Sequence, residues 1–190
     1  MNNRVYCAVL AAGSSSRFGS TKQLAVIDGQ AMVARAATTA EKACPGRTLL
    51  VVGHDASRVL AASGMHCRGS IVNESFAQGI GTSIACAARA LQHVADGLMI
   101  TLADQPLVTA SHLADLVTGF QRYPDRPIAS RYASTLGTPA VFPSSTFPEL
   151  VELDGDRGAK RLLERLDWAE IAFEDAAVDV DRRGDLGGIQ

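Results

Sequence analysis

Apolar residues along the chain fall into short unbroken runs that alternate with stripes of helical period. The first run, Val5-Tyr6-Cys7-Ala8-Val9-Leu10, is followed by Gly13; a short apolar run halted by Gly predicts a strand buried on both faces, as in a parallel sheet. Met32–Ala43 carries apolar residues at 32, 33, 36, 37 and 40, one face of a helix, and Cys44-Pro45-Gly46 stops it. Thr48-Leu49-Leu50-Val51-Val52 is a second buried strand. Strand, helix and strand within about fifty residues make a βαβ unit, so the sheet is expected to be parallel and its crossover right-handed. Ala25–Gln30, before the first helix, reads as a short turn. The alternation continues with a short helix over Asp55–Ala62, a strand at Ser70-Ile71-Val72 and an Ala-rich helix over Ile84–Val94. A fourth strand, Gly97–Leu102, precedes a helix over Thr109–Arg122 with Leu113, Leu116, Val117 and Phe120 on one face. Further on come strands at Ile128–Tyr132 and Pro139–Phe142, a short helix at Ser145–Leu153 and another that Asp154–Lys160 opens and that runs to Leu166. Trp168–Phe173 reads as an edge strand and Ala177–Asp181 as a last strand, on which Asp179 and Asp181 share a face. The expected fold class is α/β, three layers, with a mostly parallel central sheet and helices on both faces.

A chain of 190 residues suits a single domain over 1–190, burying roughly 70% of its unfolded surface. There are no internal repeats, low-complexity tracts or convincing linkers. The net charge of −2 argues against nucleic acid as the main partner, though not against a small nucleotide. No run approaches the ~20 apolar residues of a membrane span. Arg4 followed by the first apolar run and Ala11-Ala12-Gly13 has the outline of a signal peptide, but cleavage there would remove half of a strand. Cys7, Cys44, Cys67 and Cys86 form no C-x-x-C pair, which fits buried thiols in a reducing, cytoplasmic setting. His54, His66, His93 and His112 form no H-x-x-x-H pattern, so no zinc site is expected.

The candidate chemistry begins where the first strand stops. Gly13, three serines, Arg17, Gly19 and Lys22 make a loop whose small residues let the backbone approach a ligand and expose N–H groups. Two basic side chains beside such N–H groups can cradle a polyphosphate and neutralise charge that grows during phosphoryl or nucleotidyl transfer. The P-loop spacing fails, because five residues separate Gly13 from Gly19 and Lys22 follows later. An ordinary strand-to-helix loop with a solvated Arg and Lys has the same composition. Asn73–Ser83, with Gly79, Gly81, Thr82 and Ser83, opens a helix and presents unpaired donors, although Thr82 or Ser83 could simply cap it. Asp104 ends the fourth strand, where open α/β sheets bind ligands; a carboxylate there can hold Mg²⁺ with phosphates, or cap the turn before Pro106.

Val9–Leu24, reading VLAAGSSSRFGSTKQL, resembles the signature of Rossmann-like nucleotidyltransferases that activate sugars, isoprenoid precursors and molybdopterin. With Ala11-Ala12-Gly13 it is most similar to the molybdenum cofactor cytidylyltransferases. The resemblance continues in family order through Asn73–Ser83, Asp104-Gln105-Pro106, Gly137-Thr138-Pro139, Gly155-Asp156-Arg157-Gly158-Ala159-Lys160 and Asp179-Val180-Asp181. Phe76 stands for the family's Trp, Thr82 for its first Ser and Thr138 for its His or Asn, while Arg182-Arg183-Gly184 replaces T-P-E after Asp181. The resemblance implies a Rossmann-like nucleotidyltransferase fold that transfers CMP from CTP to the terminal phosphate of a molybdopterin-type cofactor, releasing pyrophosphate. It assigns Arg17 and Lys22 to the triphosphate and leaving pyrophosphate, and Asp104 with Asp181 to Mg²⁺. Leu10, Ala11, Ala12, Gly13, Gly79 and Ser83 are assigned to the nucleotide. A molybdenum hydroxylase or its maturation chaperone is the implied protein partner. A phosphate acceptor is already ionised at neutral pH, so no general base is required. Guanylyl, sugar-phosphate or isoprenoid-phosphate chemistry remains open, as does a non-catalytic nucleotide-binding role.

Overall fold

The first strand, β1 (Val5–Ala11), has a parallel neighbour on each side. The computed structural model describes residues 3–64, 69–156 and 158–188; His66, Cys67 and Arg157 lie outside them. β1 pairs with β4 (Thr48–Val52) from Cys7↔Thr48 to Ala11↔Val52 and with β6 (Gly97–Leu102) from Val5↔Gly97 to Leu10↔Leu102. β5 (Gly69–Val72) joins β4 in parallel. On the other side β8 (Thr135–Pro143) runs antiparallel to β6, β7 (Ile128–Tyr132) antiparallel to β8, and β9 (Ala169–Ala172) parallel to β7. The seven strands lie in the order β5-β4-β1-β6-β8-β7-β9, with β8 alone reversed.

The period of two along β1 divides its side chains between two cores. Cys7, Val9 and Ala11 pack with residues of α1 (Met32–Ala43), α2 (Ala56–Ala62) and α4 (Ala110–Arg122). Ala8 and Leu10 pack on the opposite face with α3 (Ile80–Leu91), α5 (Phe147–Val151) and α6 (Lys160–Arg165). This is the three-layer α/β arrangement expected from the pattern. Each Val or Leu so enclosed contributes roughly 1.5–3 kcal/mol relative to exposure.

Four sequence readings are corrected. Ala25–Gln30 is more than a turn: β2 (Val26–Ile27) and β3 (Gln30–Ala31) form a two-residue hairpin, with Asp28 and Gly29 both at positive φ as a type I′ turn requires. β8 starts at Thr135, because Ala133 and Ser134, both at positive φ, turn the chain directly back from β7. α3 starts at Ile80 rather than Ile84, so Thr82 and Ser83 sit inside its first turn. Val178–Asp181 is not a strand; it crosses the strand ends as an extended strap tied by Val180 N–H to the Asp104 carbonyl at 3.0 Å.

A buried polar relay joins α4 to the reversed strand. Thr109 caps α4, accepting from His112 N–H at 3.1 Å. The His112 ring, only 3% exposed, stacks on Phe173 with centroids 4.0 Å apart. Its Nε2 lies 2.7 Å from Ser130 Oγ, which donates to the Pro139 carbonyl at 2.6 Å. Ser130 spends its proton on Pro139, so Nε2 carries the hydrogen that Ser130 accepts. Burial depresses the His112 pKa, against a smaller opposing pull from Asp115. The unfolded state therefore takes up this proton first as pH falls. The resulting stability is complete above the ordinary histidine pKa near 6.5 and is lost as pH drops through that value toward the depressed folded one, by at most about 1.4 kcal/mol per pH unit. His112→Gln should flatten the fall in melting temperature between pH 7 and pH 5; equal pH slopes for variant and parent would remove His112 from the acid response.

Candidate active site

The parallel strands β1 and β6 end at one rim of the sheet, and the loops that leave them enclose a cleft of about 550 Å³. Loop Ala12–Thr21 owes its shape to two polar side chains. Gln23, 3% exposed, donates from Nε2 to the Gly13 carbonyl at 2.9 Å and accepts from Ser15 Oγ at 3.2 Å. Ser15 Oγ in turn accepts from Lys22 N–H at 3.1 Å. Phe18 anchors the loop, buried against Ile27, Met32 and Val180. Thr21 Oγ1 donates to Asp55 at 2.8 Å.

The second wall is the start of α3. Asn73, 2% exposed, donates from Nδ2 to Thr82 Oγ1 at 2.8 Å and to Ser83 Oγ at 2.9 Å, and its carbonyl receives Ser75 N–H. Thr82 Oγ1 donates back to the Gly79 carbonyl at 2.9 Å. Gly79 has φ +119, and a Cβ there would overlap the Gly155 carbonyl. Gly81 N–H donates to that same carbonyl at 2.9 Å. The Asp154–Asp156 turn is thereby seated on the helix entrance, and Asp156 reaches the cleft.

Leu10, Ala12, Gly13, Arg17, Lys22, Gly79, Ser83, Asp104 and Asp181 all line the cleft. Ala11 does not: its side chain points to the opposite core. Lys22 stands at the centre. Its Nζ lies 2.5 Å from Asp104 Oδ2 and 3.1 Å from Asp181 Oδ1, with the lysine side chain only 12% exposed. Arg17 Nη1 lies 3.3 Å from the other oxygen of Asp181 and is largely in solvent. Burial alone would lower the Lys22 pKa; the charges and hydrogen bonds of Asp104 and Asp181 outweigh it and hold the ammonium above its ordinary value. The hydrogen bond from Lys22 in turn holds Asp181 below the usual carboxylate range, with Arg17 adding to it. The Asp179 carboxyl is pushed up to about 6 by burial and then by the charge of Asp104.

Arg182 and Arg183 leave Asp181 to its cleft partners. Arg183 lies over the Phe18 ring at 5.8 Å and donates to Ser20 Oγ at 3.3 Å. The Asp185 carboxylate accepts the backbone N–H groups of Asp181 and Arg182. Gln23 and Asn73, the two braces, carry no assigned role in the sequence reading; the only signal is a polar residue set beside a Gly- and Ser-rich loop. Asp104 and Asp181 converge on one cation position. Hard carboxylate oxygens at the rim of an open cleft suit a divalent ion whose other positions are filled by water and phosphate. Among the described residues no cluster of three or more His, Cys, Asp or Glu could cage a metal without such help.

The MobA-like NTP transferase domain family matches residues 7–171. The chain belongs to that family. It is 32% identical over 162 residues to the purine catabolism protein PucB of Bacillus subtilis, covering 81% of this chain and 78% of PucB. It is 26% identical over 186 residues to the nicotine blue oxidoreductase of Paenarthrobacter nicotinovorans, covering 91% and 90%. Among solved structures, Rv0371c of Mycobacterium tuberculosis superposes with a TM-score of 0.87 at 28% identity over 100% of this chain and 98% of that one. A manganese complex of Rv0371c superposes at 0.80, with 27% identity over 98% and 97%. The MobA-like domain is thus a Rossmann-like nucleotidyltransferase fold of the transferase class, and a divalent metal accompanies at least one protein of its shape. No helix among the described residues is long and apolar enough to cross a membrane.

Proposed function

We propose that this protein transfers CMP from CTP to the terminal phosphate of a molybdopterin-type cofactor, in the cytoplasm and with Mg²⁺. The observation that carries the reading is the meeting, in one cleft, of Arg17 and Lys22 with Asp104 and Asp181 beside the small-residue loop Gly13–Ser16. An oxygen of the acceptor phosphate attacks the α-phosphorus of CTP, the bond to the β-phosphate oxygen breaks, and pyrophosphate leaves. No proton need move, in keeping with a cleft lining that contains no histidine among the described residues. Lys22 and Arg17 take up the charge of the triphosphate and of the departing pyrophosphate. Asp104 and Asp181 would hold the metal, which when bound would draw negative charge from the phosphates. Gly13–Ser16 and the first turn of α3 align the nucleotide, with Leu10, Ala12, Gly79 and Ser83 against base and ribose. A molybdenum hydroxylase, or the chaperone that matures one, would receive the product. The test is pyrophosphate release from each NTP in turn with Mg²⁺ and molybdopterin cofactor; release with CTP is expected, and none with any NTP would end the proposal.

Preference for CTP rests partly on Ala12. Its carbonyl accepts His54 N–H at 3.0 Å, which fixes the residue at the cleft wall, and in this reading its methyl group would narrow the space a purine needs. One methyl-sized group discriminates by about 1–3 kcal/mol, or roughly 10–200-fold. Ala12→Gly should therefore raise kcat/KM for GTP by up to that factor and leave CTP nearly unchanged. A parent enzyme that uses GTP as well as CTP would overturn the base assignment.

A further inference from the structure

We infer that Lys22 is an exchangeable counter-ion that keeps the Asp104–Asp181 pair closed to divalent metal until a polyphosphate draws it away, so that metal and nucleotide enter together. The inference rests on the reading of the cleft as a nucleotide site. Its ground is the position of one nitrogen. Lys22 Nζ sits between Asp104 Oδ2 and Asp181 Oδ1, at 2.5 and 3.1 Å, in hydrogen-bond contact with both. Those are the oxygens a shared divalent ion would take. An Mg²⁺-sized ion stands about 2.1 Å from its carboxylate oxygens, so one on Asp104 Oδ2 could lie no farther than about 4.6 Å from Nζ. Two cations at that distance, beside a lysine side chain only 12% exposed, repel each other.

Lys22 Nζ fills the place that an ion shared by the two carboxylates would take, so the ammonium must move. The side chain is rooted in a short 3-10 turn, Lys22–Leu24, whose backbone is fixed by Ser15 and Thr21, so the swing is confined to its four-carbon stem. The same cleft offers Arg17 and the small-residue loop Gly13–Ser16, a place for an anion and, beside Arg17, a poor one for a bare ammonium. A triphosphate supplies that anion, receives Lys22 and contributes oxygens to the metal. Metal and nucleotide therefore raise each other's affinity by one common factor, as linkage requires.

The experiment measures Mn²⁺ binding to the full chain by paramagnetic resonance of unbound Mn²⁺, with and without α,β-methylene-CTP. The parent should bind Mn²⁺ alone weakly and at least about tenfold more tightly with the analogue, within the usual range of coupling between sites. Lys22→Met should bind Mn²⁺ alone about tenfold more tightly than the parent, with the enhancement by the analogue largely lost. Lys22→Arg, which keeps a cation in place, should remain as weak as the parent. Adding Asp104→Asn to Lys22→Met should abolish the gain, locating it at the carboxylate pair. If folded Lys22→Met binds Mn²⁺ alone no better than the parent, the counter-ion role is wrong. If instead Lys22→Met gains Mn²⁺ affinity while the parent shows no binding of the analogue by calorimetry, the nucleotide half of the inference and the proposed function fall, and the occlusion of the pair by Lys22 stands.

Discussion

Lys22→Ala loses roughly 10²–10³-fold in kcat/KM for pyrophosphate release and keeps its fold. The magnitude is that of removing one electrostatic donor from a charge that develops in the transition state. The loop is expected to survive, because Gln23, Ser15 and Phe18 hold it through contacts that do not involve the lysine side chain. Stability is not untouched, however. A lysine in a surface loop is expected to cost under ~0.5 kcal/mol on truncation, but this side chain is only 12% exposed and is shared by two carboxylates. Its removal leaves Asp104 and Asp181 facing each other unbalanced, so about 1–2 kcal/mol is the expected loss. Arg17→Ala, at a side chain 74% exposed, should slow turnover with almost no change in melting. Steady-state pyrophosphate assays beside thermal melts separate the two effects. Parental activity in the Lys22 variant would end its assignment to the triphosphate.

Asp104→Asn removes metal-dependent turnover and leaves the protein folded. The amide has the shape of the carboxylate, and the structural tie at this residue is made by its backbone carbonyl to Val180 N–H, which the substitution does not alter. What is lost is the charge that attracts a divalent ion and the lysine alike. A fall of at least about 10² in kcat is expected, with a metal titration that saturates at much higher Mg²⁺. Asp181→Asn should cost less, because that carboxylate is 52% exposed and its neighbours already share the charge. Superposable Mg²⁺ titrations for Asp104→Asn and parent would leave Asp104 as a cap of the turn before Pro106.

Much of this was legible in the order of apolar runs. α1, β4, β6 and β7 lie where the pattern puts them, because each is a run or stripe with Gly, Pro or polar residues at its ends. α3 was displaced by four residues because Thr82 looks like a cap, whereas its hydroxyl is already engaged with Asn73 and Gly79. The strap through Asp179 and Asp181 has strand-like alternation, but what buries Val180 is the side of a loop, through Phe18, and no neighbouring strand pairs with it. Composition offered the charges of the cleft and not their pairing. That Lys22 would sit on Asp104 and Asp181 depends on contacts across more than eighty residues of sequence. Gln23 and Asn73 escaped notice for the same reason: a buried amide is recognised by what it holds.

The position of β1 inside the sheet, between β4 and β6, sets the order in which a growing chain can assemble. β1 leaves the ribosome before either of its partners, β4 and β6, and the latter ends only at Leu102. Pairing over such separations is slow, and the unpaired edges of the waiting strand are open to other chains meanwhile. The cleft is later still, for it lacks a carboxylate and the bolt under Phe18 until Val180 and Asp181 have been made. The sheet itself closes only with β9, at Ala172, nine residues before Asp181, so sheet and cleft are finished almost together, and a fragment broken off ahead of the strap would hold every strand and neither Val180 nor Asp181.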